Sequence, residues 1–197
     1  MKNTGEIGIN SKLGTFLYNI SKNTEYTKYV ETGTKNGDGT TFCILKGLLE
    51  RNDNSILLGY ETNNIFFNTA VNNCKEYLNN KIFIYNKTLV SYDELPENEF
   101  WNGQSKFKYS YNIDLKNCEI EKKIDFIDVL LLDSGGWSRQ AEWNKYKNDI
   151  KVIILDDTKI STNLIRDEII NSNQWIILKD ELNDRNGWFA AKKKTFL

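Results

Sequence analysis

The chain has 197 residues, 26 basic against 27 acidic groups, and no histidine. That length favours a single domain with a real hydrophobic core. The missing imidazole excludes Ser-His-Asp and Cys-His catalysis and any zinc site that needs histidine. A net charge of −1 offers no basic footprint for duplex nucleic acid. The three cysteines, Cys43, Cys74 and Cys118, lack CxxC spacing, so reduced thiols and a cytoplasmic location are expected. The polar start lacks the core of a signal peptide, and no apolar run is long enough to span a membrane.

In chain order, Leu13, Phe16, Leu17 and Ile20 follow helical spacing behind Asn10-Ser11, a cap. Residues 1–27 therefore read as an N-terminal helical cap. Lys28 to Glu31 is a short strand that runs into a glycine loop, and a helix starts at Thr40. Ser55 to Glu61 is a buried strand, Ile65 to Asn80 a helix, and Lys81 to Tyr85 a third strand. Residues 88–123 hold the only proline, Pro96, and show no clear period, which suggests an irregular lid or acceptor loop. Phe126 to Asp133 is an apolar strand, followed by a helix over Ser138 to Asn148 and a strand from Lys151 to Leu155. A helix over Thr162 to Asn171 precedes two final strands, Trp175 to Leu178 and Trp188 to Ala191. Asn186-Gly187 between those strands predicts a hairpin, because both residues tolerate positive φ. The expected fold class is α/β: one Rossmann-like three-layer domain over 1–197, whose mostly parallel seven-stranded sheet ends in an antiparallel hairpin.

In open parallel sheets ligands bind beyond the C-terminal ends of the strands. The polar residues there are Glu31, Glu61, Asn86, Asp133 and Asp156-Asp157, so four of five strand ends carry an acid. Gly33, Gly37 and Gly39 are spaced GxxxGxG and lead into Thr40-Thr41 at a helix start. Such a loop lets backbone approach a ligand, and the helix amides can receive an anion. Glu61, thirty positions after Glu31, is placed to accept the hydroxyls of a ribose. A tight turn and a solvated strand end are the plainer readings of the same residues. Cys43 and Cys74 read as packing, as do Trp175 and Trp188. Tyr92, Phe100 and Trp101 lie beside strand-end loops, and Trp137 is the aromatic residue expected to wall a pocket.

Val30-Glu31-Thr32-Gly33-Thr34-Lys35-Asn36-Gly37-Asp38-Gly39-Thr40 resembles the first motif of class I S-adenosylmethionine-dependent methyltransferases, and Leu58-Gly59-Tyr60-Glu61 resembles the second. The terminal hairpin resembles the reversed last strand of that family, and the likeness covers roughly residues 25 to 195. It implies that Glu31, Gly33, Thr34, Gly37, Gly39, Thr40 and Asp133 bind S-adenosylmethionine, with the glycine loop at its methionine end. Glu61 would take the ribose, and Asn86 or Asp93 would lie near the adenine.

Asp133 with Asp156-Asp157 is similar to the acid set of the metal-dependent O-methyltransferases that act on catechols and sugars. The resemblance implies Mg²⁺ on Asp133, Asp156 and Asp157, activating an acceptor hydroxyl. Strand-end acids with a helix cap are the alternative. Gly136 stands where the catechol enzymes carry a lysine, and the histidine base of the sugar enzymes is missing. Asp133, Asp156 and Lys159 are the remaining candidates for a base. The expected activity is methyl transfer to an oxygen of a small molecule or glycan. Rival readings are a catalytically inactive cofactor-binding homologue or interaction module, and, further off, a nicotinamide-dependent reductase, whose GxGxxG spacing is absent. A homo-oligomer is compatible with the sequence.

Overall fold

The computed structural model describes residues 7–101, 104–107 and 113–196, with the side chains of 98–101, 104–107 and 196 left aside. Helix α1 (Lys12–Lys22) opens the chain, and the hydroxyl of its N-cap Ser11 accepts from the Gly14 amide at 3.0 Å. Strand β1 (Lys28–Thr32), α2 (Thr40–Leu49), β2 (Ile56–Tyr60), α3 (Asn64–Cys74) and β3 (Ile82–Tyr85) form the first half. The second half is β8 (Ile127–Leu132), α5 (Gly136–Tyr146), β9 (Ile150–Asp156), α6 (Asn163–Ile170), β10 (Trp175–Glu181) and β11 (Trp188–Lys193). Between the halves lie β4 (Lys87–Thr88), β5 (Asn98–Trp101), β6 (Gln104–Phe107), α4 (Ile113–Lys116) and β7 (Glu119–Ile120).

The seven-stranded sheet has the order β10-β11-β9-β8-β1-β2-β3, with β11 antiparallel to both its neighbours. Its central strands bury both faces, which explains the unbroken apolar run Val129-Leu130-Leu131-Leu132. Alternation then sends successive residues to opposite layers. Val129 and Leu131 pack with Leu13 and Leu17 of α1 and with Ile44 and Leu48 of α2. Leu130 and Leu132 pack with Trp143 and Tyr146 of α5 and with Ile165 and Ile169 of α6. These are the three expected layers. Trp175 and Trp188 lie in the same cores, and Trp188 meets Phe16 with ring centroids 5.2 Å apart. Buried Cys43 and Cys74 have thiols pushed up to about 12 by burial, which fits packing and not nucleophilic work.

The chain runs outward from β1 through β2 to β3, then returns to β8 on the other side of β1. The order therefore reverses between β1 and β8, and a crevice opens at their C-terminal ends.

Some predicted boundaries shift. Helix α3 stops at Cys74 and not at Asn80. The asparagine-rich end favours turns, Asn79 takes φ +60°, and Leu78 bridges to Ile82. Helix α5 begins two residues before the predicted Ser138, at Gly136. The final connection is longer than a two-residue hairpin turn. Glu181 pairs with Trp188, and the left-handed positions are Arg185 (φ +50°) and Gly187 (φ +79°), not Asn186. The segment 88–123 is not wholly irregular: β4 pairs with β7, and β5 pairs with β6.

Candidate active site

The crevice is a cleft of about 690 Å³, within the range that holds small ligands and cofactors. Its floor is the β1–α2 loop. Gly33 adopts φ +82°, and a Cβ there would lie 2.4 Å from the Asp133 carbonyl oxygen, so only glycine lets this loop cross the tip of β8. The loop is pinned by amides: Gly33 N–H donates to the Tyr60 carbonyl at 2.9 Å, and Asp133 N–H to the Thr32 carbonyl at 3.1 Å. Gly39 and Gly135 differ from Gly33. Both line the cleft, and a Cβ on either would meet nothing within 4 Å.

Glu31 does not line the cleft. It is wholly buried beneath the loop, where its two carboxylate oxygens accept from the hydroxyls of Thr40 and Thr41 at 2.5 Å each. Those hydroxyls belong to the first turn of α2, so Glu31 ties β1 to the helix start. Burial, opposed by the two hydrogen bonds, pushes its carboxyl up to about 7.

Glu61 does line the cleft, at the tip of β2. Its Oε2 accepts from the Lys35 amide at 2.7 Å and its Oε1 from the Asn63 amide at 2.8 Å. Each oxygen keeps a lone pair for a further donor, the arrangement a diol needs. Asn86 stays outside. Its side-chain amide donates to the carbonyls of Glu61 at 2.8 Å and Thr62 at 3.2 Å, and so braces the tip of β2. Asp93 is exposed and does not line the cleft. Of the other loop residues, Gly33, Thr34, Gly39 and Thr40 line it and Gly37 does not. Thr88, Leu89, Asp114 and Leu115 form part of the far wall, so the segment 88–123 contributes to the site.

At the tips of β8 and β9 the structure brings Asp133, Asp156 and Asp157 together, with one oxygen from each within 4.8 Å of the others. Burial and the charge of Asp156 hold Asp133 well above the usual carboxylate range; burial and Asp157 raise Asp156 likewise. Lys159 is exposed and outside the cleft, its backbone amide bonded to the Asn186 carbonyl at 2.9 Å. Trp137 also departs from expectation. It is buried with Val90, Leu95 and Leu115 beneath the wall, away from the cleft itself. Tyr92 packs on that same cluster, and the side chains of Phe100 and Trp101 lie outside the described residues.

Five charged residues of the cleft carried no motif: Lys87, Asp114, Arg139, Glu142 and Arg185. Arg139 and Glu142 both come from α5, one turn apart on its inner face, and Arg185 comes from the β10–β11 connection. Glu142 accepts from Thr32 Oγ1 at 3.0 Å and Ser134 Oγ at 2.9 Å, and burial pushes its carboxyl up to about 7. The only trace of Arg139 and Glu142 in the sequence is a pair of opposite charges three positions apart. Across the lining, seven acids face four bases.

The donor set of the three aspartates suits a hard cation in kind. The setting does not. The guanidinium of Arg139 lies within 4 Å of Asp133 and Asp157, and that of Arg185 within 4 Å of Asp156. A divalent ion there would sit against two positive groups, so the residues present do not fit it.

No protein-family model and no curated protein matches the sequence. Solved structures do match. An O-methyltransferase from Bacillus cereus in complex with S-adenosylhomocysteine superposes with a TM-score of 0.63 at 14% identity, over 98% of this chain and 85% of its own. TomG, an O-methyltransferase from Streptomyces achromogenes involved in tomaymycin synthesis, in complex with S-adenosylmethionine, gives 0.61 at 9% identity over 95% and 82%. The Podospora anserina methyltransferase PaMTH1, bound to S-adenosylhomocysteine, gives 0.60 at 8% identity over 92% and 77%. The fold is that of the class I methyltransferases. Among the described residues no helix is long and apolar enough to cross a membrane.

Proposed function

We propose that this chain moves a methyl group from S-adenosylmethionine to an oxygen of a small molecule or glycan. The observation that carries the reading is the cleft at the β1–β8 crossing, floored by the Gly33–Thr40 loop and faced by the Glu61 carboxylate. A further feature fits a bound cofactor: Gly39 and Gly135 leave open space over the lining. S-adenosylmethionine supplies an electrophilic sulfonium methyl.

The residues of the chain then have distinct tasks. Glu61 accepts the ribose hydroxyls, and the loop backbone over Gly33–Thr40 receives the methionine end. Aligned in the cleft, an acceptor oxygen forms the new C–O bond as the S–C bond breaks, and that electron pair stays on sulfur. The acceptor's proton passes to an ionised carboxylate of the cleft wall. Asp133 and Glu142 both line the cleft and are the candidates. The segment 88–123 contributes the acceptor wall, through Thr88, Leu89, Asp114 and Leu115.

Calorimetry with S-adenosylmethionine and S-adenosylhomocysteine tests the reading, and no binding of either would overturn it. Glu61→Ala is expected to weaken binding at least tenfold, the loss of about 1.4 kcal/mol. The second reading is a cofactor-binding module without turnover, favoured by the two arginines that already engage the acid triad. Mass spectrometry of an acceptor panel separates the two, since only transfer yields a product 14 mass units heavier (about one CH₂ gained).

A further inference from the structure

The acid triad at the tips of β8 and β9 already has a cation of its own. Arg139 reaches it from α5 with a side chain only 4% exposed. Its Nη2 lies 3.2 Å from Asp157 Oδ2 and 3.6 Å from Asp133 Oδ1. Its Nη1 donates to Ser161 Oγ at 2.6 Å, and lies 3.3 Å from both the Asp156 carbonyl and Asp157 Oδ2. The guanidinium is thus anchored to both strand tips and to the turn that follows β9. Asp157 is itself held for this contact. It adopts φ +57°, and its other oxygen, Oδ1, accepts from the Asn186 side chain at 3.0 Å. Asp156 Oδ2 faces the Arg185 guanidinium at 3.6 Å.

We propose that Arg139 is the resident counter-ion of the Asp133–Asp156–Asp157 triad and takes the place of a divalent metal there. Two physical arguments support it. A planar guanidinium is always charged and offers five N–H donors, so it can bind two carboxylates and a hydroxyl at once. A metal drawing the same oxygens to within about 2.1–2.5 Å would have to displace it and leave a buried cation unpaired. The inference goes beyond methyl transfer, because it holds equally for a cleft that only binds a ligand. It also makes Arg139 a positioning residue, fixing the distance between the β8 tip that carries Asp133 and the β9 tip.

The test is titration of the whole chain with Mn²⁺, read by electron paramagnetic resonance. The wild-type protein is expected to leave the free Mn²⁺ signal at its protein-free level. Arg139→Met keeps an unbranched apolar stem and removes the charge, and is expected to gain saturable Mn²⁺ binding that Asp157→Asn in the same chain abolishes. One equivalent of Mn²⁺ bound by wild type and lost in Asp157→Asn would overturn the proposal, and so would a folded Arg139→Met protein that still ignores Mn²⁺. If Arg139→Met fails to fold, the wild-type titration decides alone. Calorimetry with S-adenosylhomocysteine on the same sample keeps the questions apart, because absent binding there counts against methyl transfer and leaves the Mn²⁺ result intact.

Discussion

Thr41 donates its hydroxyl to Glu31 across 2.5 Å, with both residues sealed from water. Thr40 does the same for the other carboxylate oxygen. The acid at the end of β1 is therefore a clamp on the start of α2, and its effect on any ligand passes through the loop. Replacing both threonines by valine strands a buried carboxylate, and is expected to cost about 3 kcal/mol of stability in urea unfolding. Glu31→Gln should cost less, since an amide can still accept one hydroxyl.

The pH response follows from the same group and from Glu142. Each carboxyl has an ordinary value of 4.5 and is pushed up to about 7 in the folded chain. The folded state therefore holds these protons more tightly than the unfolded state does. Their contribution to stability is full below about pH 4.5 and is lost as pH rises through about 7. Asp53 and Asp128 shift the opposite way, below the usual range, and are already ionised across that window. The melting temperature is expected to fall between about pH 5 and pH 8, and Glu142→Gln should flatten that slope. A melting temperature that rises over the window would contradict the assignment.

Gly33 and Gly135 make a matched pair for substitution. Gly33→Ala puts a Cβ 2.4 Å from backbone oxygen at φ +82°, and is expected to unfold or severely destabilise the chain. Gly135 sits at φ −60°, ψ 144°, with open space before it. Gly135→Ala should leave stability within about 0.5 kcal/mol and weaken S-adenosylhomocysteine binding. Differential scanning calorimetry with and without the ligand reads both effects.

Arg51 offers a test of how the N-terminal cap is held. Its buried guanidinium donates to the carbonyls of Ser21, Asn23 and Tyr26 at 2.9, 3.0 and 2.8 Å, and pairs with Asp53. Arg51→Met takes a donor from three carbonyls, of which Asn23 keeps another in the Tyr26 amide at 3.2 Å, and is expected to cost about 3 kcal/mol. Hydrogen exchange should quicken first over residues 20–28, where the cap joins β1.

The strands, the glycine loop and the acids at four of the strand tips were legible because each leaves a local mark. Buried parallel strands are continuous apolar runs, and Gly33 is obligatory for a backbone reason that sequence spacing captures. The roles at those positions were less legible. Nothing local distinguishes Glu31, spent on Thr40 and Thr41, from Glu61, which keeps lone pairs facing the cleft. Arg139 and Glu142 were invisible because a charged residue on a helix reads as solvated surface until the packing of α5 on the sheet is known. The β-pairs of the 88–123 segment escaped for another reason. β4 and β7 are two residues each, too short to display a period of two.

The Lys35 amide and the Glu61 carboxylate, 2.7 Å apart, join the two halves of the cleft floor. A ligand that donates to the Glu61 oxygens shares its acceptor with the bond that fixes the crest of the glycine loop. The sugar end and the amino-acid end of a nucleoside ligand would then be thermodynamically linked, each fragment altering the affinity for the other by the same factor. The hinge of this site is a shared hydrogen bond.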